Sequence, residues 1–250
     1  MATAVVKLDP HAPNGEGLEL WEPIPAAALV SGSPVQRGQI VHENKAQGLM
    51  VGVWDCTPMV TRHEPYSVNE FMLLLDGEVT IVDAEGREET VFAGQPFVLP
   101  KGFHCQWKQE RYLRKFFLIF DDPSGAAPEG PGQVIRPLPY GPTGGLFPIP
   151  LDPDDFLGPM PTQRQHLWYQ DPTGQMAVGT WDATAYERPV TPFNRNELMH
   201  ILEGSVTITG AVDQTFHAGD TFFIPEGAPT GWRSEGYVRK FYCSFRPKAG

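Results

Sequence analysis

The chain has 250 residues, 41% of them hydrophobic and 11% aromatic, which is enough to form packed cores in two modest domains. Its formal net charge of −11 argues against nucleic acid or an anionic membrane as a partner, because both require a basic surface. The three cysteines form no CxxC pair, the N-terminus lacks the pattern of a secretory signal, and no apolar stretch approaches the length of a spanning helix. We therefore expect a cytoplasmic protein.

Four segments are predicted along the chain. Residues 1–35, rich in Pro, Gly and Ala, are expected to form an irregular leader, and residues 123–161 a Pro/Gly-rich linker. Residues 36–122 and 162–250 are predicted as two domains. In each domain, short runs rich in Val, Ile, Thr and Phe are separated by Gly or Pro every ~8–12 residues, without a helical period. This pattern predicts an all-β fold in both domains.

The two domains are copies of one another. Without a gap, residues 54–81 match 181–208 at 12 of 28 positions, and residues 94–120 match 219–245 at 11 of 27. Unrelated segments of average composition would share about two residues in such a window. Each copy is predicted to contain a strand, a glycine turn, a second strand, a hairpin loop and a third strand. Positions at which the copies differ are the most informative about function.

Two glycine motifs recur in each copy. The first is E-x6-G, at 70–77 and 197–204, and the second is G-x5-P-x-G, at 94–102 and 219–227. Found twice in this order, they resemble the two signature motifs of the cupin superfamily. The Trp after the second motif and the terminal Arg-Lys-aromatic strand further resemble the subfamily of ureidoglycine aminohydrolase and EutQ-like cupins. The resemblance implies two tandem jelly-roll β-barrels, an RmlC-like bicupin.

A metal site in the first barrel is one implication of this resemblance. Metal-binding cupins present two histidines and a glutamate in the first motif and a further histidine after the second. On that pattern, His63, Glu70 and His104 are the candidate ligands of one divalent ion (Mn, Fe, Ni or Zn), with Cys105 as the substitute if the turn is one residue longer.

The ligand pattern of the aminohydrolase is only partly present. That pattern is Glu-x-His-x3-His with a distant Gln, and the sequence offers Glu64, Tyr66 and Glu70, with Gln106 near the fourth position. Two of the three ligands in the first motif are therefore changed. In the second copy only Glu197 survives at a ligand position, so no metal is expected in the C-terminal barrel.

A structural role for the two glutamates is the alternative. Each follows an asparagine, in Asn69-Glu70 and Asn196-Glu197, and the pair recurs in the copy that has no imidazole at the ligand positions. On this interpretation the pair bonds strand ends or the basic residues of the terminal strand, which are the Arg-Lys pairs at 114–115 and 239–240.

Two classes of function stay open at this stage. The first is an enzyme that acts on a small nitrogen- or carboxylate-containing metabolite in the N-terminal barrel, using a metal or a His63–Glu70 acid/base pair. The second is a non-catalytic bicupin that binds a small molecule or serves a structural role, with Phe193 and Met199 as further pocket residues. Unpaired barrel edges leave room for a homodimer. The candidate substrate contacts are Tyr66, Met72, Gln106 and Trp107.

Overall fold

The computed structural model describes residues 4–11, 17–123 and 132–248. Within these ranges the chain is built from β-strands and three short 3₁₀ helices, and none of its helices is long and apolar enough to span a membrane. It divides into two compact units, which we call the N-terminal barrel (8–136 with 171–173) and the C-terminal barrel (1–7, 137–170 and 174–250). The prediction of an all-β fold is confirmed.

The N-terminal barrel consists of two antiparallel sheets around one core. After β1 (Val6–Lys7), which belongs to the other unit, its strands are β2 (Glu19–Leu20), β3 (Leu29–Ser31), β4 (Gln36–Asn44), β5 (Leu49–Cys56), β6 (Met59–Thr61), β7 (Glu64–Pro65), β8 (Asn69–Asp76), β9 (Glu78–Asp83), β10 (Glu88–Phe92), β11 (Pro96–Leu99), β12 (His104–Gln109) and β13 (Leu113–Phe120). One sheet has the order β11-β8-β13-β5-β4-β2, and the other has the order β10-β9-β12-β6-β3, with β7 paired to β12. Two 3₁₀ helices span Ala26–Ala28 and Lys45–Gln47.

The C-terminal barrel repeats this plan. Its later strands are β14 (Phe147–Pro148), β15 (Gln163–Gln170), β16 (Met176–Ala183), β17 (Tyr186–Pro192), β18 (Asn196–Glu203), β19 (Ser205–Thr209), β20 (Gln214–His217), β21 (Thr221–Ile224), β22 (Pro229–Ser234) and β23 (Val238–Phe245). The sheet orders are β1-β21-β18-β23-β16-β15-β14 and β17-β22-β19-β20. A 3₁₀ helix spans Pro153–Asp155. Alternate side chains of each strand face the interior, so each sheet contributes one apolar face to the core.

The segments predicted as leader and linker carry short strands of their own. Residues 1–35 contribute β1, β2 and β3, of which β1 pairs with β21 at the edge of a C-terminal sheet. In the stretch 123–161, β14 pairs with β15. The division between the two compact units falls inside this stretch, after Arg136. The composition of these segments indicates irregular structure. They nevertheless form short strands, because they pair with strands at the edges of the sheets.

Glycine turns join the first two strands of each repeated unit. Gly77 lies between β8 and β9 with a φ of 79°, and Gly204 lies between β18 and β19 with a φ of 75°. A Cβ atom at either position would overlap a backbone carbonyl oxygen, that of Tyr112 or Tyr237 respectively. The predicted order of strand, glycine turn, strand, hairpin and strand is confirmed in both copies.

The repeated asparagines connect the two motifs within each barrel. Asn69 Oδ1 accepts a hydrogen bond from the backbone N–H of Lys101 (3.1 Å), and Asn196 Oδ1 accepts one from the N–H of Glu226 (3.1 Å). Lys101 and Glu226 lie in the Pro-x-Gly turns of the second motif. The asparagine thus holds this turn beside the strand that carries the glutamate, as the structural interpretation of the pair predicts.

Candidate functional site

A buried lysine lies next to the inward-facing glutamate of the N-terminal barrel. Glu70 and Met72 lie two residues apart on β8 and share its interior face, and Lys115 reaches them from the neighbouring strand β13. The Lys115 Nζ atom is 2.8 Å from Glu70 Oε1 and 3.1 Å from Met72 Sδ. Both charged side chains are almost fully buried, so the pair forms a desolvated ion pair.

Two indole rings and a phenol complete this arrangement. The Lys115 Nζ atom lies 4.8 Å from the ring centroid of Trp54 and 5.1 Å from that of Trp107, within the range of cation–π attraction. The hydroxyl of Tyr66 donates a hydrogen bond to Oε2 of Glu70. Burial, followed by the charge of Glu70, raises the pKa of Tyr66 well above its ordinary value. Both oxygens of the carboxylate therefore have partners.

The C-terminal barrel contains the same arrangement. Lys240 Nζ is 2.8 Å from Glu197 Oε1 and 2.9 Å from Met199 Sδ, and it lies 5.1 Å from each of the ring centroids of Trp181 and Trp232. We call each set of Lys, Glu, Met and two Trp a lysine centre. Because both copies keep all five residues, the lysine centre belongs to the common design of the two barrels. The sequence-based alternative, which offered the 115 and 240 lysines as partners of the glutamates, is confirmed.

The two lysine centres differ at the second carboxylate oxygen. Where Tyr66 donates to Glu70, Arg195 Nε donates to Oε2 of Glu197. Burial acts to raise the pKa of Glu197, but the charges of Arg195 and Lys240 and their hydrogen bonds outweigh it and lower this pKa to about 2. Burial lowers the pKa of Lys240, and repulsion from Arg195 and Arg188 adds to that effect, while Glu197 opposes it.

The low pKa of Glu197 predicts an acid-sensitive C-terminal barrel. A carboxylate whose pKa falls on folding stabilises the folded state above its unfolded pKa, and this stabilisation is lost as the pH falls through the folded pKa. We expect the unfolding free energies of the wild type and of Glu197→Gln to converge as the pH is lowered from about 4.5 to about 2. Denaturant unfolding of both proteins across this range measures the difference. A difference that stays constant would contradict the assignment.

The histidines predicted as metal ligands lie outside the barrel. His63 is exposed, and its Nε2 is 3.2 Å from the backbone carbonyl oxygen of Asp83. His104 is exposed on β12, whereas the adjacent Cys105 is buried and faces inward together with Trp107. The structure therefore brings neither histidine to the Glu70 carboxylate, and the proposed acid/base pair of His63 with that carboxylate is not formed.

The donor set around Glu70 does not fit a divalent metal. Burial raises the pKa of Cys105 to about 12, whereas a metal-binding cysteine must be a thiolate. The carboxylate oxygens of Glu70 are bonded to an ammonium group and a phenol. Among the described residues, no group of three or more His, Cys, Asp and Glu side chains is placed to hold a metal ion. The ligand set implied by the resemblance is not assembled in this structure.

A cavity of about 290 Å³ opens above the N-terminal lysine centre. Of the four predicted substrate contacts, Tyr66 and Trp107 line it. Met72 is fully buried beneath Lys115, and the Gln106 side chain turns away to donate a hydrogen bond to the carbonyl oxygen of Thr61 (2.8 Å). Gln106 differs from the prediction because strand register, which sequence alone does not provide, decides which way its side chain faces. Met72 faces the interior as expected, but Lys115 separates it from the cavity.

The larger cavity, about 480 Å³, lies in the C-terminal barrel above the second lysine centre. Phe193 lines it as predicted for a binding module, whereas Met199 is fully buried under the lysine. Its wall also carries Arg188, Arg195 and Arg246, which were not among the sequence candidates. Their signal was present in the sequence, because each of the three arginines is confined to the second copy.

Comparisons with known proteins agree on the fold. The family model of the EutQ-like cupin domain matches residues 44–117 and 170–242. A solved protein of unknown function from the DUF861 family of Pseudomonas syringae pv. tomato is 27% identical, with a TM-score of 0.77, and the match covers 97% of this chain and 99% of that one. No curated protein matches the sequence significantly.

More distant solved structures are similar in fold alone. The protein Ylba from E. coli, also of the DUF861 family, is 11% identical, with a TM-score of 0.54 over 100% of this chain and 93% of its own. A salicylate 1,2-dioxygenase from Pseudoaminobacter salicylatoxidans is 14% identical, with a TM-score of 0.52 over 84% of this chain and 76% of its own. The fold is thus shared with proteins that include an enzyme.

Proposed function

Since this chain belongs to the EutQ-like cupin family and carries two cupin domains in tandem, we propose that it is a metal-independent bicupin that binds a small molecule in its barrels. The observation that carries the proposal is the lysine centre. In each barrel an ammonium group lies 2.8 Å from the inward glutamate that the first motif retains. A positive charge at this position repels a divalent cation and already neutralises the carboxylate that would attract it.

A metal-dependent enzyme in the N-terminal barrel would require a different arrangement. Both His63 and His104 would have to turn from solvent into the barrel, and Glu70 would have to release Lys115. A buried ion pair that loses one partner typically costs ~3–5 kcal/mol, and the metal would have to offset this cost. Metal binding is therefore opposed by the folded structure itself.

The cavities above the lysine centres are suited to small organic molecules. Their volumes of about 290 and 480 Å³ are near or within the range of ~300–1,000 Å³ that is usual for small-molecule sites. Each is walled by two tryptophans and reaches the lysine centre at its base. Aromatic walls favour binding of a compact organic ligand over a bare ion.

Elemental analysis tests the metal-independent part of this proposal. Untagged protein incubated with Mn, Fe(II), Ni or Zn and then desalted is expected to retain far less than one metal ion per chain. His63→Ala and Glu70→Gln serve as ligand variants, and Glu110→Gln is the matched control because Glu110 is exposed and lies outside the cavity lining. Near-stoichiometric metal that is lost in both ligand variants but kept in the control would overturn the proposal.

Thermal unfolding with a panel of small metabolites tests the binding part. We expect that at least one compound raises the unfolding temperature, because a ligand that binds only the folded state stabilises it. The increase should be the same with and without a strong metal chelator. A shift that the chelator abolishes would favour the metal-dependent alternative, and the absence of any shift would favour a structural role.

A further inference from the structure

The C-terminal cavity carries more positive charge than the N-terminal cavity, whose lining has a single arginine, Arg62, together with Glu64. Three arginines line the C-terminal cavity: Arg188, Arg195 and Arg246. At the corresponding positions the first copy has Thr61, Val68 and Asp121. The two lysine centres are shared, so the difference between the cavities lies in these walls. In a duplicated protein, both copies retain the residues that the shared fold requires. Residues found in one cavity only are therefore the best candidates for contacts with a ligand specific to that cavity.

Two of the arginines converge on one oxygen atom. Arg195 Nη1 and Arg246 Nη2 donate hydrogen bonds to Asn194 Oδ1, at 3.0 and 3.3 Å respectively. A neutral amide oxygen thus lies between two guanidinium groups of like charge. Such groups repel each other unless an anion lies close to both, and planar guanidinium groups match a carboxylate well.

The charges around this cavity are only partly paired. Arg188 pairs with Asp155 (2.7 Å), while Arg195 and Lys240 share the single carboxylate of Glu197. Within residues 4–11, 17–123 and 132–248, Arg246 has no carboxylate partner at ion-pair distance. The cavity therefore has an excess of positive charge in a chain whose formal net charge is −11.

Aromatic and hydroxyl groups also line the cavity. The indole rings of Trp181 on β16 and Trp232 on β22 come from the two different sheets and lie beside Lys240. Tyr186 packs edge-on against Trp181 with ring centroids 6.0 Å apart. The Thr230 side chain is buried in the same lining. These groups suit a planar or apolar organic body rather than a small inorganic ion.

We propose that the C-terminal barrel binds a small carboxylic acid, whose carboxylate is held by Arg195 and Arg246 and whose organic body lies against Trp181 and Trp232. This inference rests on the proposed function, because it assigns a ligand class to one of the two cavities. The N-terminal cavity, which has Val68 and Asp121 at the positions of the two arginines, does not share this preference.

Calorimetric titration with defined probes tests this ligand class. The probes are acetate, malonate and benzoate, with benzamide as the neutral analogue of benzoate and inorganic phosphate as an anion without an organic body. We expect benzoate to bind at least about tenfold more tightly than benzamide or phosphate. A hydrogen bond to a charged group usually changes the dissociation constant by at least that factor. Binding of no carboxylate below ~10 mM, or equal affinity for benzoate and phosphate, would overturn the proposal.

Two matched variants assign the binding to this cavity. Arg246→Gln replaces the guanidinium group at this exposed position by a neutral amide that can still donate a hydrogen bond, and it is expected to weaken benzoate binding by about tenfold. Arg233→Gln is the control, since Arg233 is also exposed on the C-terminal barrel but lies outside the cavity lining, and it should leave affinity unchanged. Equal effects of the two variants would reduce the result to a general charge effect and overturn the site.

The same samples separate this inference from the proposed function. Metal-free protein that binds no carboxylate would contradict the ligand class alone. Protein that holds metal and loses benzoate binding when a chelator is added would contradict the proposed function instead.

Discussion

Replacing Lys115 by Met is expected to lower the unfolding free energy of the N-terminal barrel by about 3–5 kcal/mol. The substitution keeps an unbranched side chain of similar length but leaves the buried Glu70 carboxylate with only the neutral hydroxyl of Tyr66 as a partner. Hydrogen exchange measured by mass spectrometry reports the stability of each barrel separately, so it suits a protein with two domains. Protection should fall in β8 and β13, where the two residues lie.

The duplicated chain provides a matched control for this prediction. Lys240→Met removes the equivalent lysine, but Arg195 still donates to Glu197 and keeps the carboxylate paired with a positive charge. The loss in the C-terminal barrel should therefore be clearly smaller. Adding Glu70→Gln to Lys115→Met should recover much of the lost stability, because no buried charge then remains unpaired. Equal losses for the two single lysine variants would contradict the assigned pairing.

Replacing Gly204 by Ala is expected to destabilise the C-terminal barrel by roughly 2–5 kcal/mol. Its φ of 75° disfavours any residue with a Cβ atom, and that atom would also overlap the carbonyl oxygen of Tyr237. Backbone cannot move aside as a flexible side chain can, so the strain adds to the conformational cost. Thermal or denaturant unfolding measures the change.

Gly219→Ala separates the two contributions to this effect. Gly219 has a φ of 93°, but a Cβ there would meet no atom within 4 Å. This variant should cost only the ~1–2 kcal/mol of a left-handed backbone conformation. If the two alanine variants were equally stable, the overlap with the Tyr237 carbonyl would not constrain the turn between β18 and β19.

Residues that the two copies share and residues that differ between them have different roles in this protein. Trp54, Glu70 and Lys115 recur in the second copy. In each copy the glutamate and the lysine form a buried ion pair beneath the cavity, and the tryptophan ring lies beside the lysine. Arg195 and Arg246 do not recur, and they line the larger cavity. The residues that best indicate a specific ligand therefore lie in the C-terminal barrel. The resemblance to metal-binding cupins had instead directed the prediction to the N-terminal barrel.

The sequence by itself determined the all-β fold, the duplication and the glycine turns. These features depend on short-range requirements that a sequence displays directly, such as a period of two in strands and a positive φ at Gly77 and Gly204. It also offered the basic residues of the terminal strand among the possible partners of the repeated glutamates. The same local reasoning could not decide which of His104 and Cys105 faces the barrel interior.

Only the tertiary structure decided that question and the composition of both sites. Strand register sets which of two adjacent residues points inward, and on β12 it turns Cys105 in and His104 out. The lysine centre joins Glu70 to Lys115 across 45 residues, and Asn194 joins Arg195 to Arg246 across most of the second copy. Contacts between strands so far apart in sequence depend on how the whole barrel closes, and no local pattern encodes them.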